Sequence, residues 1–314
     1  MLSIVELELR RKREEFSIEL RSLKRQDILK KKRNTYITPS LSFFLSKLDK
    51  STTEIQKSDL QEQMNFYSSR EFSIFDLPKL IEFAQSSDIL QQHFASVGIR
   101  KLLSLGLILH HNSYKTLKNT NGFLLENGSP IQQIIDSGLV PILISNLYQT
   151  DYPYLQRDSA WALTNIAAGS TSQTQMILEK GALPPLMALL KSNVEDLYEQ
   201  AIWAIGNIAG DNTSFRDQIL EEGVDDLVKI GLETKNSLVF KNVTWALSNL
   251  SRGRPGPEYV KVKEAGKVFG VAITKYMNDE EAVVDSLWAL SCLSGNFVGN
   301  WSFFLFLECF RWKR

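Results

Sequence analysis

From Ile131 onward, apolar and polar positions repeat with two nested periods. Within each short stretch the apolar positions follow the 3.6-residue period of a helix. Across the chain the whole pattern returns after 42 or 43 residues. Each unit reads as a short helix, a glycine, a second helix, a polar loop and a third helix built around a tryptophan. The glycines are Gly138, Gly181, Gly223 and Gly266, and the tryptophans Trp161, Trp203, Trp245 and Trp288 follow them by 22 or 23 residues. A glycine between two helices lets the chain turn at positive φ or pack closely. Pro141 and Pro184–Pro185 fall where the second helix would start. A period in the forties defines one supersecondary unit stacked repeatedly, so the predicted class is an all-α solenoid.

The third helices align without gaps as WALTNI, WAIGNI, WALSNL and WALSCL. Three tryptophans carry an asparagine four positions later: Asn165, Asn207 and Asn249. Residues i and i+4 share a helix face, so each unit pairs one indole with one carboxamide. The alanine and the Leu/Ile positions lie on another side. The expected division is a core on that side and, on the Trp/Asn side, a solvent-open groove. A carboxamide in the core needs partners, which argues for exposure; the alternative is an asparagine that bonds the neighbouring repeat. Helices packed about 8–10 Å apart give three rungs a span of about 20 Å, roughly six extended residues. Carboxamides can hold a peptide backbone, while indole faces accept Lys or Arg stems for about 0.5–2 kcal/mol each. Asp211, eight residues after Trp203, is the first choice for pairing with a lysine; its plain alternative is a loop carboxylate or helix cap.

Before the regular units, helical pattern begins near Ile74, and Leu77–Pro78 fits a helix start. Residues 105–125 break the pattern and read as an insertion. Residues 35–73 form a polar linker with one apolar cluster, Leu41 and Phe43 to Leu45. The expected organisation is thus a basic arm over 1–34, the linker, repeats over 74–296 and a divergent tail over 297–314.

Charge changes the picture more than composition does. The formal net charge is zero, but residues 10–33 hold eleven Lys/Arg against four Asp/Glu, and residues 193–226 hold nine Asp/Glu and one arginine. A basic head and an acidic body suggest that one can sit on the other. Phe16, Leu20 and Leu23 give the head a helical apolar stripe. A rival reading takes this head to nucleic acid or an anionic membrane, with steeply salt-dependent binding; the acidic body disfavours it. Two cysteines make no disulfide framework and fit a reducing compartment. No secretory signal or membrane span is expected. There is no Walker or Rossmann motif, and His93, His110 and His111 have no acidic or cysteine cluster beside them. No enzyme, metal or cofactor is expected.

The segments RDSAWALTNIAAG, EQAIWAIGNIAGD and VTWALSNLSR, with the arm over 10–33, resemble the importin alpha family of nuclear import adaptors. The resemblance covers roughly residues 10–33 and 126–296, more weakly 74–104, and implies a right-handed armadillo solenoid. It further implies that Trp161, Trp203 and Trp245 line a site for Lys/Arg-rich localisation signals, with Asn165, Asn207 and Asn249 on the cargo backbone. Asp211 would take the dominant lysine, helped by the Gly169 carbonyl and the Thr174 hydroxyl, with Gln200 as a further contact. Arg10, Arg11, Lys12, Arg13, Arg21, Lys24, Arg25, Lys30, Lys31, Lys32 and Arg33 would bind importin beta and, in its absence, compete for the groove as a tethered ligand. Cargo proteins and importin beta are the implied partners, nuclear pore proteins indirectly, with shuttling between cytoplasm and nucleus. Another armadillo scaffold holding a different extended partner is the alternative. Cys292 stands where a fourth asparagine would be, and residues after Asn296 match nothing in the family.

Overall fold

The computed structural model describes residues 70–111 and 130–296. The expected basic arm, nearly all of the linker, part of the insertion and the tail lie outside these residues. The chain divides into two units, 1–71 with 104–122 and 72–103 with 123–314, and the described helices fall almost wholly in the second. No strand occurs among the described residues.

A 3-10 turn (Ile74–Asp76) leads into α1 (Leu77–Ala84), with Pro78 in its first turn where its missing N–H costs nothing. Helix α2 (Ile89–His111) follows. It runs through Leu105 to His111, where a break is expected from the sequence. That stretch contains no proline and a single glycine, which costs a helix only about 1 kcal/mol relative to alanine.

Three-helix units then follow in order: α3 (Pro130–Asp136), α4 (Leu139–Asn146) and α5 (Pro153–Ala167); α6 (Thr171–Glu179), α7 (Leu183–Leu189) and α8 (Glu195–Asp211); α9 (Thr213–Glu222), α10 (Asp225–Glu233) and α11 (Ser237–Leu250); α12 (Tyr259–Val262), α13 (Ala265–Lys275) and α14 (Glu280–Asn296). Gly138, Gly181 and Gly223 turn the chain between first and second helices at φ of 76°, 83° and 94°. Gly266 differs: it is buried in the first turn of α13 and is not among the glycines with positive φ. Local signals set the other ends. Asn212 and Asn236 cap α9 and α11 by accepting from the Phe215 and Leu238 amides, each at 3.0 Å. The Ser170 amide donates to Gln173 Oε1 at 3.0 Å ahead of α6.

The third helices pack in series, α5 on α8, α8 on α11 and α11 on α14, each backed by its own second helix. An interior third helix therefore has neighbours on three sides. Its apolar surface is covered almost all round, by side chains such as Leu163, Ile166, Ile205, Ile208, Leu247 and Leu250.

Candidate functional site

The ladder of indoles and carboxamides forms, but it is closed. Trp161, Trp203 and Trp245 are 3%, 1% and 6% exposed, and Asn165 and Asn249 are 0% and 7% exposed. Asn207 and Trp288 are half-buried. The rings are thus covered in this structure rather than open to solvent. Part of this cover comes from the neighbouring repeat, since Trp245 rests against Gly206 of the repeat before it. Trp203 and Trp245 meet with ring centroids 5.5 Å apart at 54°. Arg100, from α2, lays its guanidinium 4.5 Å over the Trp161 ring.

The carboxamides follow the alternative named above. Asn165 Nδ2 donates to the Arg100 carbonyl (3.3 Å), Asn207 Nδ2 to that of Thr164 (3.1 Å) and Asn249 Nδ2 to that of Gly206 (2.9 Å). Each asparagine stitches its helix to the preceding one, at the residue three past the tryptophan position. The same geometry sets the first repeat in register: Arg100 occupies that position, so Val97 stands where a tryptophan would. The offset from Val97 to Trp161 exceeds the 43-residue period by 21 residues, the length of the insertion over 105–125.

The position three after each tryptophan was not singled out by sequence reasoning, yet it carries a signal. It holds Thr164, Gly206, Ser248 and Ser291, all small. At Gly206 the requirement is absolute, since an added Cβ would lie 2.2 Å from Trp245 Cζ3. Gly206→Ala is expected to destabilise by about 1–3 kcal/mol through displacement of that indole, read as a lower midpoint in urea with Trp fluorescence reporting the change.

Around the ladder, Asp211 is half-buried at the end of α8 and accepts from Thr171 Oγ1 at 2.8 Å and Asn212 Nδ2 at 3.4 Å. Thr171 is exposed and was missed in the sequence; it precedes the residue expected there. Thr174 is fully buried, and its hydroxyl donates to the Ala167 and Ser170 carbonyls, 3.4 Å each. Gly169 is exposed. Gln200 is buried, and its Oε1 has no hydrogen-bond partner among the described residues. Such an acceptor costs free energy unless a donor reaches it.

Below the first rung lies a buried charge cluster. Asp158, wholly buried, sits 2.9 Å from His93 Nε2, 3.0 Å from Arg100 Nε and 3.1 Å from Arg157 Nη2. Burial pushes its carboxyl up, but the Arg157 and Arg100 guanidiniums and the His93 hydrogen bond outweigh this and hold it far below the usual carboxylate range. Among the described residues no group of three or more His, Cys, Asp or Glu could hold a metal, and no helix is long and apolar enough to cross a membrane.

The stacked three-helix units and the ladder that joins them define an armadillo-repeat protein. Residues 129–168 and 170–210 match the Armadillo/beta-catenin-like repeat model, and residues 5–97 match the Importin beta binding domain model. A designed armadillo repeat protein superposes with a TM-score of 0.57 at 25% identity, over 74% of this chain and 87% of its own. Importin subunit alpha-B of Dictyostelium discoideum is 37% identical over 91% of this chain and 48% of its own length. Importin subunit alpha-2 of Arabidopsis thaliana is 35% identical over 91% and 47%. The chain belongs to the importin alpha family and spans about half the length of these relatives.

Proposed function

We propose that this chain is a nuclear import adaptor: it binds Lys/Arg-rich localisation signals along the Trp/Asn ladder and links the cargo to importin beta through its basic arm, without catalysing a reaction. The observation that carries this reading is kinship with importin alpha over 91% of the chain, arm included. It does not rest on open indoles, which the structure lacks. The adaptor would shuttle between cytoplasm and nucleus with its cargo, meeting nuclear pore proteins through importin beta.

On the ladder, Asp211 supplies the lysine-binding carboxylate, and the Gly169 carbonyl lies on exposed backbone just before Thr171, whose hydroxyl bonds that carboxylate. Gln200 offers its unpaired Oε1 and Asn207 its Oδ1 to peptide N–H groups. Trp161, Trp203 and Trp245 would flank the lysine stems by their edges, and Asn165 and Asn249 would set the rungs. Thr174 acts by fixing the loop, and the Thr171 hydroxyl steadies Asp211. Lys30 to Arg33, within the arm, would compete for the same track until importin beta removes them.

Burial of the rings favours a second reading, an armadillo scaffold that holds some other extended partner. Asp211→Ala separates the two. Because Asp211 is half-exposed, stability should change by no more than about 0.5 kcal/mol. Affinity of the full chain for a fluorescent KKKRK peptide, measured with importin beta present, should fall at least about tenfold, equivalent to 1.4 kcal/mol. Unchanged affinity would favour the scaffold.

A further inference from the structure

We infer that the tail over 297–314 caps the array: it folds back antiparallel to α14 and covers the face that a further repeat would otherwise cover. Helices α8 and α11 each have a third helix on both flanks, whereas α14 has α11 on one flank and α13 behind it. The remaining flank of α14 is apolar. Leu287 is 51% exposed, while Ala160, Ile202 and Thr244, at the same register, are each 0% exposed. Val284, one turn earlier, is 43% exposed, and Leu290 is half-buried where Leu163, Ile205 and Leu247 are fully buried. Ser291 stands at the register position where Gly206 seats the next indole, so a bulky ring fits there. The outer face of a terminal repeat is ordinarily polar; this one is built for an apolar partner.

The tail has the length, pattern and charge of that partner. It follows α14 directly, and Gly299–Asn300 suits the short loop of a helical hairpin. From Asn296 back to Val284, α14 spans about 18 Å, and a helix over residues 301–312 returns about the same distance. Phe303, Phe306, Leu307 and Phe310 follow the i, i+3, i+4, i+7 spacing of one helix face, which is the face to set against Leu287 and Val284. In this antiparallel register Arg311, Lys313 and Arg314 come level with the exposed Glu280 and half-buried Glu281 in the first turn of α14. Such charges add little affinity at a surface, but they favour this direction. A tethered segment competes at an effective concentration of about millimolar, which places it ahead of a second copy of the chain.

The test uses the full chain with Cys292 and Cys309 replaced by serine and a single cysteine introduced, read as the rate of labelling by a maleimide. Met277→Cys is the reference, since Met277 is 71% exposed in the loop before α14. Leu287→Cys should label about tenfold more slowly than this reference, in the same ratio at high and low protein concentration, because a tethered cap does not dilute away. Adding Phe306→Asp and Phe310→Asp should bring the Leu287→Cys rate close to the reference. Equal rates at the two positions in the chain with its own tail, or protection that survives the two aspartates, would overturn the inference. Protection that falls on dilution would also overturn it and would assign the face to a second copy.

Discussion

Replacing Asp158 by asparagine is expected to cost about 3–5 kcal/mol, because the change removes the fully buried carboxylate that the Arg100 guanidinium pairs with at 3.0 Å. Asp158 is on α5, and two of its partners, His93 and Arg100, are on α2. The loss should fall on that junction, since units in a stacked array depend on nearest neighbours. Amide exchange should accelerate in α2 well before it does in α11. A second variant distinguishes a lost pair from a merely awkward asparagine. Replacing Asp158 by leucine and Arg100 by methionine together should recover most of the loss, as apolar groups of similar volume commonly replace buried pairs without penalty.

The same carboxylate sets an acid dependence. Its folded-state pKa is depressed below the unfolded value of about 3.9. The unfolded chain thus binds its proton first as the pH falls. The stabilisation is fully present above that value and is lost progressively from about pH 5 downward. Acid titration of the unmodified chain should show this slope, and Asp158→Asn should flatten it. Equal slopes in the two proteins would mean that the cluster does not hold the charge assigned to it.

Much of this architecture is legible in the sequence because it is periodic. The 42-to-43-residue repeat locates the third helices, and three of its four glycines adopt the positive φ that their positions suggest. The i, i+4 rule correctly places Trp203 and Asn207 on one face. What that rule cannot give is how many neighbours a face has. A helix at the edge of a protein leaves one side to water, whereas α8 has α5 on one flank, α11 on the other and α7 behind. Part of the Trp/Asn face is where two repeats join, since Trp245 rests on Gly206 and Asn249 bonds its carbonyl. Small residues at the third position after each tryptophan hold that information, since they make room for the next indole. The Asp158 cluster leaves no comparable trace. Its members in α2 lie 58 and 65 residues upstream, across an insertion, and no period relates them.

Closure of the ladder alters what a tryptophan substitution can reveal. Trp203→Ala is expected to lose about 3–5 kcal/mol of stability, the usual cost of emptying a fully buried aromatic site. The cavity would open beside the Trp245 ring, which packs on both Trp203 and Gly206, so the damage should pass to the third repeat. Peptide affinity would fall too, but a partly unfolded array also loses affinity, and that loss alone says nothing of direct contact. Trp203→Phe resolves the matter. It keeps most of the apolar volume and should cost far less stability, yet it narrows the slot offered to a lysine stem and weakens the cation–π term, which is strongest for tryptophan. Urea unfolding and peptide titration on both variants give the two quantities separately. If Trp203→Ala unfolds at the same urea concentration as the unmodified chain, the ring lies open in a groove, as the sequence had suggested, and the joint between repeats is held by the asparagines alone.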